Sequence, residues 1–360
     1  MLTRIRPFVH RLLNLPPERG PVPIEVRRPA ERIPREQTLR LISWNMQFAG
    51  GRRRHFFYDG GKDVSIPAHE IRKNLADIGE FLASHRPDFV LLQEVDRCSR
   101  RTGYVDQHAA LVEALDAPCD ASTPYYRCRY VPSPQHEPLG PMDLHLSVLS
   151  KYQIDSAFRE PLSLLQEPRI RRLFNLRRAI LDVGVQISGG GMLRLFNTHY
   201  SAFSKGDGTL NRQVAETLAH LAKHSDYAEW VLAGDLNCLP PGDNSDRLPE
   251  KDRSQYPERE SPIQAMFNQL TAPVPAHRLA QEARFRTYLP PFAPQPDRVL
   301  DYTFCGPHIQ IGKLRVLPGT DAWSDHRPLL LEFSLPAREQ MSPPLRRGRS
   351  GETGPRTGGR

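Results

Sequence analysis

Cysteine is scarce in this chain of 360 residues and poorly placed for cross-links: Cys98, Cys119, Cys128, Cys238 and Cys305. Five scattered thiols without CxxC spacing exclude a disulfide framework and a zinc-thiolate centre, leaving reduced thiols, none with the setting of a nucleophile. Long apolar runs are missing too. Nothing approaches the roughly 20 residues that a membrane span requires. FVHRLLNLPP, near the start, is too short and too charged for a signal-peptide core. The expectation is a soluble, cytoplasmic, monomeric protein. No short repeat is present, and hydrophobic residues at 39% are enough for a substantial core.

A basic body is also lacking, despite a net charge of +8. Residues 1–40 hold nine Arg against four Glu, residues 337–360 hold six Arg against two Glu, and the long stretch between is nearly neutral. That distribution argues against a long nucleic-acid groove, whose affinity comes largely from neutralising phosphates. The termini are rich in Pro, Gly and Arg. Residues 1–38 and 337–360 are therefore expected to be largely disordered, as solvated tails or as contacts to an anionic membrane or RNA.

What is present between them is α/β patterning. LRLISW, FVLLQ, LHLSVLS, AILDVGVQI, LRLFNT, WVLAGD, VLDYTFC and LLLEFSL predict strands. HEIRKNLADIGEFLASH and TLNRQVAETLAHLAK predict helices, with Ile71, Leu75, Ile78 and Leu82 on one face of the first and Leu210, Val214, Leu218 and Leu221 on one face of the second. One catalytic domain is expected over residues 39–336. Two long loops, FAGGRRRHFFYDGGKDVSIPAH and PPGDNSDRLPEKDRSQYPERESP, are either surface insertions or carriers of function.

Several apolar runs stop abruptly at groups able to do chemistry. LRLISWN ends at Asn45, FVLLQE at Glu94, LRLFNTH at His199, WVLAGDLN at Asp235 and Asn237, and RVLD at Asp301, while SDHRPLLLEF opens with Asp325 and His326. Polar groups cost free energy inside a buried strand unless paired, so their place at strand ends points to a cleft. Carboxylates crowded at one sheet edge repel, and a bound cation relieves that repulsion. Carboxylate and amide oxygens without cysteine suit Mg²⁺, with Mn²⁺ as the alternative. Such an ion in turn suggests hydrolysis of a phosphoester by in-line attack of water, with Asn237 and a histidine donating to the phosphoryl oxygens. Taken singly, each residue is ambiguous: an Asp after a strand is commonly a turn or cap.

The order SWN, LLQEVD, LSVLSKY, FNTH, LAGDLN, LDYTF and SDHRPL resembles the endonuclease/exonuclease/phosphatase superfamily with its deoxyribonuclease-I-like fold. Arg212 and Gln213 match its Arg-x-x-Gln-like segment, and the likeness covers residues 39–335. The resemblance implies a four-layer α/β sandwich, two mixed β-sheets packed face to face with flanking helices. It also implies one metal-dependent phosphoesterase site at the sheet edges. On this basis Asn45, Glu94 and Asp325 sit at the metal, Glu94 as principal ligand. Asp235 orients or deprotonates the water, Asn237 holds a phosphoryl oxygen, His199 stabilises or protonates phosphate oxygens, and Asp301 and His326 form an Asp–His pair. The general base stays open between Asp235 and His326.

The chain departs from the family at DLHLSVLSKY, where His145 occupies a place usually held by a small residue and is expected to shape the pocket wall. MQFAGGRRR after SWN is unlike the abasic-site endonuclease branch. The substrate expectation is a phosphodiester on a small molecule or lipid headgroup, clamped by Arg52, Arg53 and Arg54 or by the cluster Arg169, Arg171, Arg172, Arg177 and Arg178. The alternatives are a metal-dependent DNA or RNA nuclease, and a non-catalytic binding protein on the same fold.

Overall fold

The computed structural model describes residues 18–168, 174–224, 229–257 and 259–337. In chain order its strands are β1 Gly20–Pro21, β2 Ile24–Val26, β3 Leu39–Asn45, β4 Phe89–Asp96, β5 Cys119–Val131, β6 Gly140–Ser150 and β7 Ile154–Pro161. There follow β8 Ala179–Gln186, β9 Met192–His199, β10 Trp230–Asp235, β11 Asp301–Cys305, β12 Gln310–Val316 and β13 Leu329–Ser334. The helices are α1 Ala68–Ser84, α2 Gln107–Ala114 and α3 Thr209–Ala222, with the short α4 Glu250–Arg253, α5 Gln264–Gln269 and α6 Ala276–Gln281.

All eight predicted strands and both predicted helices are present. Among the described residues the strands form a six-stranded sheet, β1-β7-β8-β9-β10-β11, and a seven-stranded sheet, β12-β13-β3-β4-β6-β5-β2. Each sheet is mixed: β9 runs parallel to β10 and β3 parallel to β4, while the other pairings are antiparallel. Because side chains alternate across a strand, each central strand feeds two cores. Leu41, Leu91, Leu146, Val183, Leu195 and Val231 pack between the sheets. Ile42, Trp44, Val90 and Leu92 face the other way, under Ile71, Leu75, Ile78 and Leu82 of α1. On the far side Ile180, Phe196 and Leu232 meet Leu210, Val214 and Leu221 of α3. The result is the expected α/β/β/α sandwich. Its central strands are continuous apolar runs because both of their faces are covered.

The apolar interface between the sheets is crossed by one fully buried amide pair. Gln93 Nε2 donates to Asn197 Oδ1 at 2.7 Å, and Asn197 Nδ2 donates to the backbone oxygens of Leu92 and Ser147 at 2.9 and 3.0 Å. These bonds tie β9 of one sheet to β4 and β6 of the other, and a one-residue slip of register would break them.

The sequence pattern does not predict strands β5, β7 and β12. β5 is the longest, yet CDASTPYYRCRYV mixes Asp, Pro and Arg with its aromatics and offers no clean period of two. The segment before Leu39 also differs from expectation. Residues 1–17 lie outside the described residues, but β1 pairs with β7 and β2 pairs with β5, so residues 20–26 cross from one sheet to the other. Ile33 follows with no exposed surface, packed in the core between the sheets. Its backbone N–H donates to Gln186 O at 2.9 Å and its carbonyl accepts from Ser188 N at 2.8 Å. Arginine-rich composition hid this strap because its charges reach outward, Arg35 to Glu229 and Arg27 to Asp120, while few side chains turn in. The C-terminal residues 338–360 lie outside the described residues.

If the strap belongs to the fold, Ile33→Ala lowers the unfolding free energy of the full chain by about 2–4 kcal/mol in urea titration. A loss of less than about 0.5 kcal/mol, the level of an ordinary surface change, counts against it.

Candidate active site

Three of the singled-out residues are assembled by register alone. Strand β10 lies between β9 and β11, with Asp235 opposite His199 on one side and opposite Asp301 on the other. Asn45 ends β3, whose last residue is opposite Gln93, one before Glu94. At Glu94 the pairing of β4 with β6 shifts register and φ is +56°, a bulge that re-aims the side chain into the cleft. A turn follows Asn45 in which Gln47, Phe48 and Ala49 all have positive φ, at 43°, 44° and 52°. Backbone strain of this kind persists only where surroundings over-determine it. Here Gln47 supplies the constraint: its N–H donates to Asn45 Oδ1 at 3.1 Å, and its Oε1 accepts from Asp325 N at 3.1 Å.

Asp235 is the hub. Oδ2 accepts from Asn45 Nδ2 at 3.0 Å and lies 3.2 Å from His199 Nε2 and 3.8 Å from His326 Nε2, while Oδ1 accepts from Asn237 N at 2.9 Å. Burial pushes its carboxyl up, but the two histidines and Asn45 outweigh burial and hold the group well below the usual range, so it is ionised. The same Asn45 amide reaches Glu94 Oε1 at 3.3 Å. His326 Nδ1 is 2.7 Å from Asp301 Oδ2, and Trp44 Nε1 donates to the His326 carbonyl at 2.8 Å. Burial disfavours charge on this imidazole, yet Asp301 and Asp235 on its two sides raise it to about 10. His199 goes the other way: burial and then Arg178 lower it, so it is neutral, with Tyr125 OH 3.2 Å from Nδ1. Two histidines on one carboxylate thus carry different charge.

The remaining acids face each other across the cleft. Burial lifts Asp325 to about 7, with Glu94, Asp59 and Asp235 adding repulsion against the opposing effect of His326. Asp59 rises to about 6, again chiefly by burial, with Glu94 adding repulsion and His55 opposing. Glu94, Asp325 and Asp59 line one cleft and are costly to ionise together, while Asn45, expected at the metal, turns Nδ2 to Glu94 and Asp235 and has Oδ1 engaged by Gln47 N. Crowded carboxylates are what a hard divalent cation offsets, and their oxygens suit Mg²⁺ or Mn²⁺.

The cleft has a volume of about 480 Å³. Asn45, Glu94, Arg178, His199, Asp235, Asn237, Asp325 and His326 line it, and Asp301 stands directly behind His326. Of the expected clamps only Arg178 is there. Its guanidinium sits 5.3 Å from the Tyr125 ring centroid, is buried, and leaves Nη1 without a hydrogen-bond partner. Arg52 instead donates to the carbonyls of Pro290 and Ala293 at 2.8 and 2.9 Å, Arg54 pairs with Glu70 at 2.7 Å, and Arg53 is exposed. Arg177 does not line the cleft; Arg169, Arg171 and Arg172 lie outside the described residues. His145 is a further correction. Its neighbour Leu144 lines the cleft, whereas His145 points to the opposite face of β6, 2.8 Å from both Ser122 Oγ and Asp143 Oδ1.

Sequence reasoning missed Asp59, Tyr58 and the group Lys251, Asp252, Tyr256, Tyr288 and Arg298 that completes the walls. Both long loops contribute to this set, so they are walls rather than surface insertions. Arg298 and Arg101 are committed to Asp297, Asp252 and Asp96, which leaves Arg178 as the buried arginine with a donor to spare in the cleft. Gln213, matched by its Arg-x-x-Gln-like context, accepts from Ser201 N at 2.9 Å and donates to Ser163 O at 2.6 Å, pinning the loop that follows His199.

Residues 42–326 match the family described as "Endonuclease/Exonuclease/phosphatase family". No curated protein matches the chain. Among solved structures, an endonuclease/exonuclease/phosphatase from Beutenbergia cavernae is 23% identical with a TM-score of 0.53, covering 84% of this chain and 72% of that one. The human Nocturnin catalytic domain, with bound sulfate, is 18% identical at TM-score 0.53, covering 84% and 94%. A mannosyl-6-phosphatase from Bacteroides thetaiotaomicron is 15% identical at TM-score 0.52, covering 82% and 100%. At these identities the structures show a shared fold. No helix among the described residues is long and apolar enough to cross a membrane.

Because the folded pKa of Asp325 lies above its unfolded value of 3.8, its ionisation penalises the fold as pH rises through about 7. In EDTA at pH 8, Asp325→Asn is expected to raise the unfolding free energy by roughly 2 kcal/mol, an advantage that vanishes below pH 4 and shrinks in Mg²⁺. Equal stability of variant and wild type in EDTA at pH 8 would contradict this electrostatic account.

Proposed function

The chain belongs to the endonuclease/exonuclease/phosphatase family, and we propose that it is a divalent-metal-dependent phosphoester hydrolase acting on a small or headgroup-sized phosphodiester. The observation that carries the reading is Arg178. A buried guanidinium with an unpartnered Nη1, opening into the cleft that holds Asp235 and Asn237, asks for an anion. The cleft volume falls within the range of small-molecule pockets, and Tyr58, Tyr126, Leu139, Met142, Leu144, Tyr256 and Tyr288 add apolar and aromatic surface beside its charged groups. Both features favour a compact phosphate ester over a polynucleotide lying along a basic groove.

Glu94, Asp325 and Asp59 would hold the Mg²⁺ or Mn²⁺ ion, with Asn45 Nδ2 orienting Glu94. When bound, it would polarise a phosphoryl oxygen and stabilise charge on the leaving oxygen. Asp235, ionised and fixed by four neighbours, orients the attacking water and accepts its hydrogen bond. A carboxylate so strongly held is a weak base, so its contribution is positioning, which suits phosphoryl transfer. His326, charged between Asp301 and Asp235, donates to phosphoryl oxygens rather than acting as the base. His199 and Asn237 add donors on the same side, and Arg178 neutralises the phosphate. The water oxygen bonds to phosphorus as the bond to the leaving alkoxide breaks; the water proton passes late to Asp235, charged His326 gives its proton to the leaving oxygen, and Asp235 then returns a proton to His326.

The direct test offers bis(p-nitrophenyl) phosphate, p-nitrophenyl phosphate, lipid phosphodiesters, RNA and plasmid DNA to wild type and Asp235→Asn with Mg²⁺ or EDTA. The expected result is diester turnover that EDTA abolishes and that Asp235→Asn lowers by at least about 10³-fold in kcat. Cleavage confined to polynucleotides moves the assignment to nuclease. A folded wild type no more active than Asp235→Asn on every substrate sinks the catalytic reading.

Removing Asp301's charge lowers the pKa of His326 from about 10. Asp301→Asn should therefore move the alkaline limb of the kcat/KM profile down by one pH unit or more. An unmoved limb would dismiss charged His326 as a donor.

A further inference from the structure

A second cluster of ligating side chains lies outside the cleft, on the helix-covered face of the six-stranded sheet. Asp182 faces outward from β8 because its neighbours Leu181 and Val183 face the inter-sheet core. Opposite it on β9 is Phe196, three residues before His199, and Arg194 stands two residues further back, about 17 Å along the strand from His199. Above this spot His220, in the last turn of α3, and His224, two residues beyond the helix end, come together on one side.

We propose that Asp182, His220 and His224 form a second, structural divalent-cation site of the zinc class. His220 Nε2 and His224 Nε2 approach the same oxygen, Asp182 Oδ2, at 3.1 and 3.2 Å, and the three donor atoms lie within 4.8 Å of one another. A tetrahedral ion with bonds of about 2.0–2.1 Å holds its donors roughly 3.3 Å apart, so little movement is needed to admit it. Among the described residues this is the cluster with such geometry in histidine and carboxylate atoms.

The protons of His220 supply a second, independent argument. The ring is 4% exposed, its Nδ1 has no hydrogen-bond partner, and the nearest acceptor to that atom is Glu160 Oε2 at 3.9 Å. If Nε2 carried the single proton to serve Asp182, a bare Nδ1 lone pair would face the Glu160 carboxylate. If Nδ1 carried it, a bare Nε2 would face Asp182. A second proton or a cation on Nε2 resolves the conflict; with the cation, the lone pair and Asp182 both bind it while Nδ1–H points to Glu160, the arrangement by which outer carboxylates orient metal-bound histidines. The other Asp182 oxygen is already fixed by Arg194 Nε at 2.8 Å.

Two imidazoles and one carboxylate select a borderline ion such as Zn²⁺ over Mg²⁺. Arg194, Arg19 and Lys223 share the acids Asp182 and Glu160, which further disfavours an ion dependent on carboxylate charge. His224 is 19% exposed and the cluster opens to a surface pocket shared with Asp155 and Lys223, so an ion can reach it. Occupancy would staple the end of α3 to β8.

The test uses the full chain, stripped with EDTA and dialysed, titrated with Zn²⁺ by calorimetry and with Co²⁺ by visible absorption. Wild type and the cleft variants Glu94→Gln and Asp235→Asn should each bind one Zn²⁺ at the cluster and gain about 5 °C in melting temperature. His224→Gln, at the accessible rim, should weaken that binding at least 30-fold without lowering the metal-free melting temperature. X-ray absorption of zinc-loaded Asp235→Asn should count two imidazoles, a readout that needs no cluster variant to fold. Unchanged affinity in His224→Gln, loss of the ion in Asp235→Asn, or no binding tighter than millimolar would each overturn the site in favour of a purely hydrogen-bonded cluster. None of these readouts depends on phosphoester turnover.

Discussion

The hydrogen bond from Asn45 to Asp235 joins two sheets that meet mostly through hydrocarbon, and the cleft depends on it. Asn45 ends a strand of the seven-stranded sheet and Asp235 a strand of the six-stranded one. One layer below, Gln93 and Asn197 repeat the join with no solvent exposure. Sheets packed by apolar side chains alone tolerate sliding; a buried amide with fixed donors and acceptors does not, since each lost bond leaves a desolvated group. These polar rungs therefore set the relative position of the strand ends that carry the chemistry, and the strained turn after Asn45 is held by the same network.

From that seam the electrostatics follow. Asp235 is kept ionised by two histidines, only one of which is charged, while Asp325 and Asp59 sit among acids and resist ionisation. Neighbouring carboxylates are thus pushed in opposite directions by surroundings a few ångströms apart, the pattern expected of groups with separate tasks. The cost, chiefly of burial with repulsion added, is one that a cation would offset. Arg178 carries an unused donor, which an anion would satisfy.

Much of this is legible in the order of residues along the chain. Apolar runs ending in Asn45, His199 and Asp235 are visible because buried strands demand hydrocarbon on both faces and a polar residue stands there only when paired, or where the strand meets the cleft. The eight strands recognised are those with continuous apolar runs. β5, with Asp, Pro and three aromatics, and the two-residue β1 carry no such signal, and neither does the strap held by Ile33. Substrate contacts are the least legible. Arginine triplets attract attention by composition, yet Arg52 and Arg54 are spent on carbonyls and Glu70, and His145 is turned away by strand alternation. Asp59, in a loop without period, gives no sign of itself.

Local patterning dictates the layer order, the strand ends and the residue types offered to the cleft, because periodicity and burial are properties of neighbouring residues. Packing between distant segments dictates which of those groups meet and in what protonation state. The charge of His326 depends on Asp301 and Asp235, the availability of Arg178 on what Arg101 and Arg298 are bound to, and the Asp182–His220–His224 cluster on how α3 lies over β8. These are matters of distance between residues remote in the chain, and pairwise electrostatics depends on distance and burial rather than on order along the sequence.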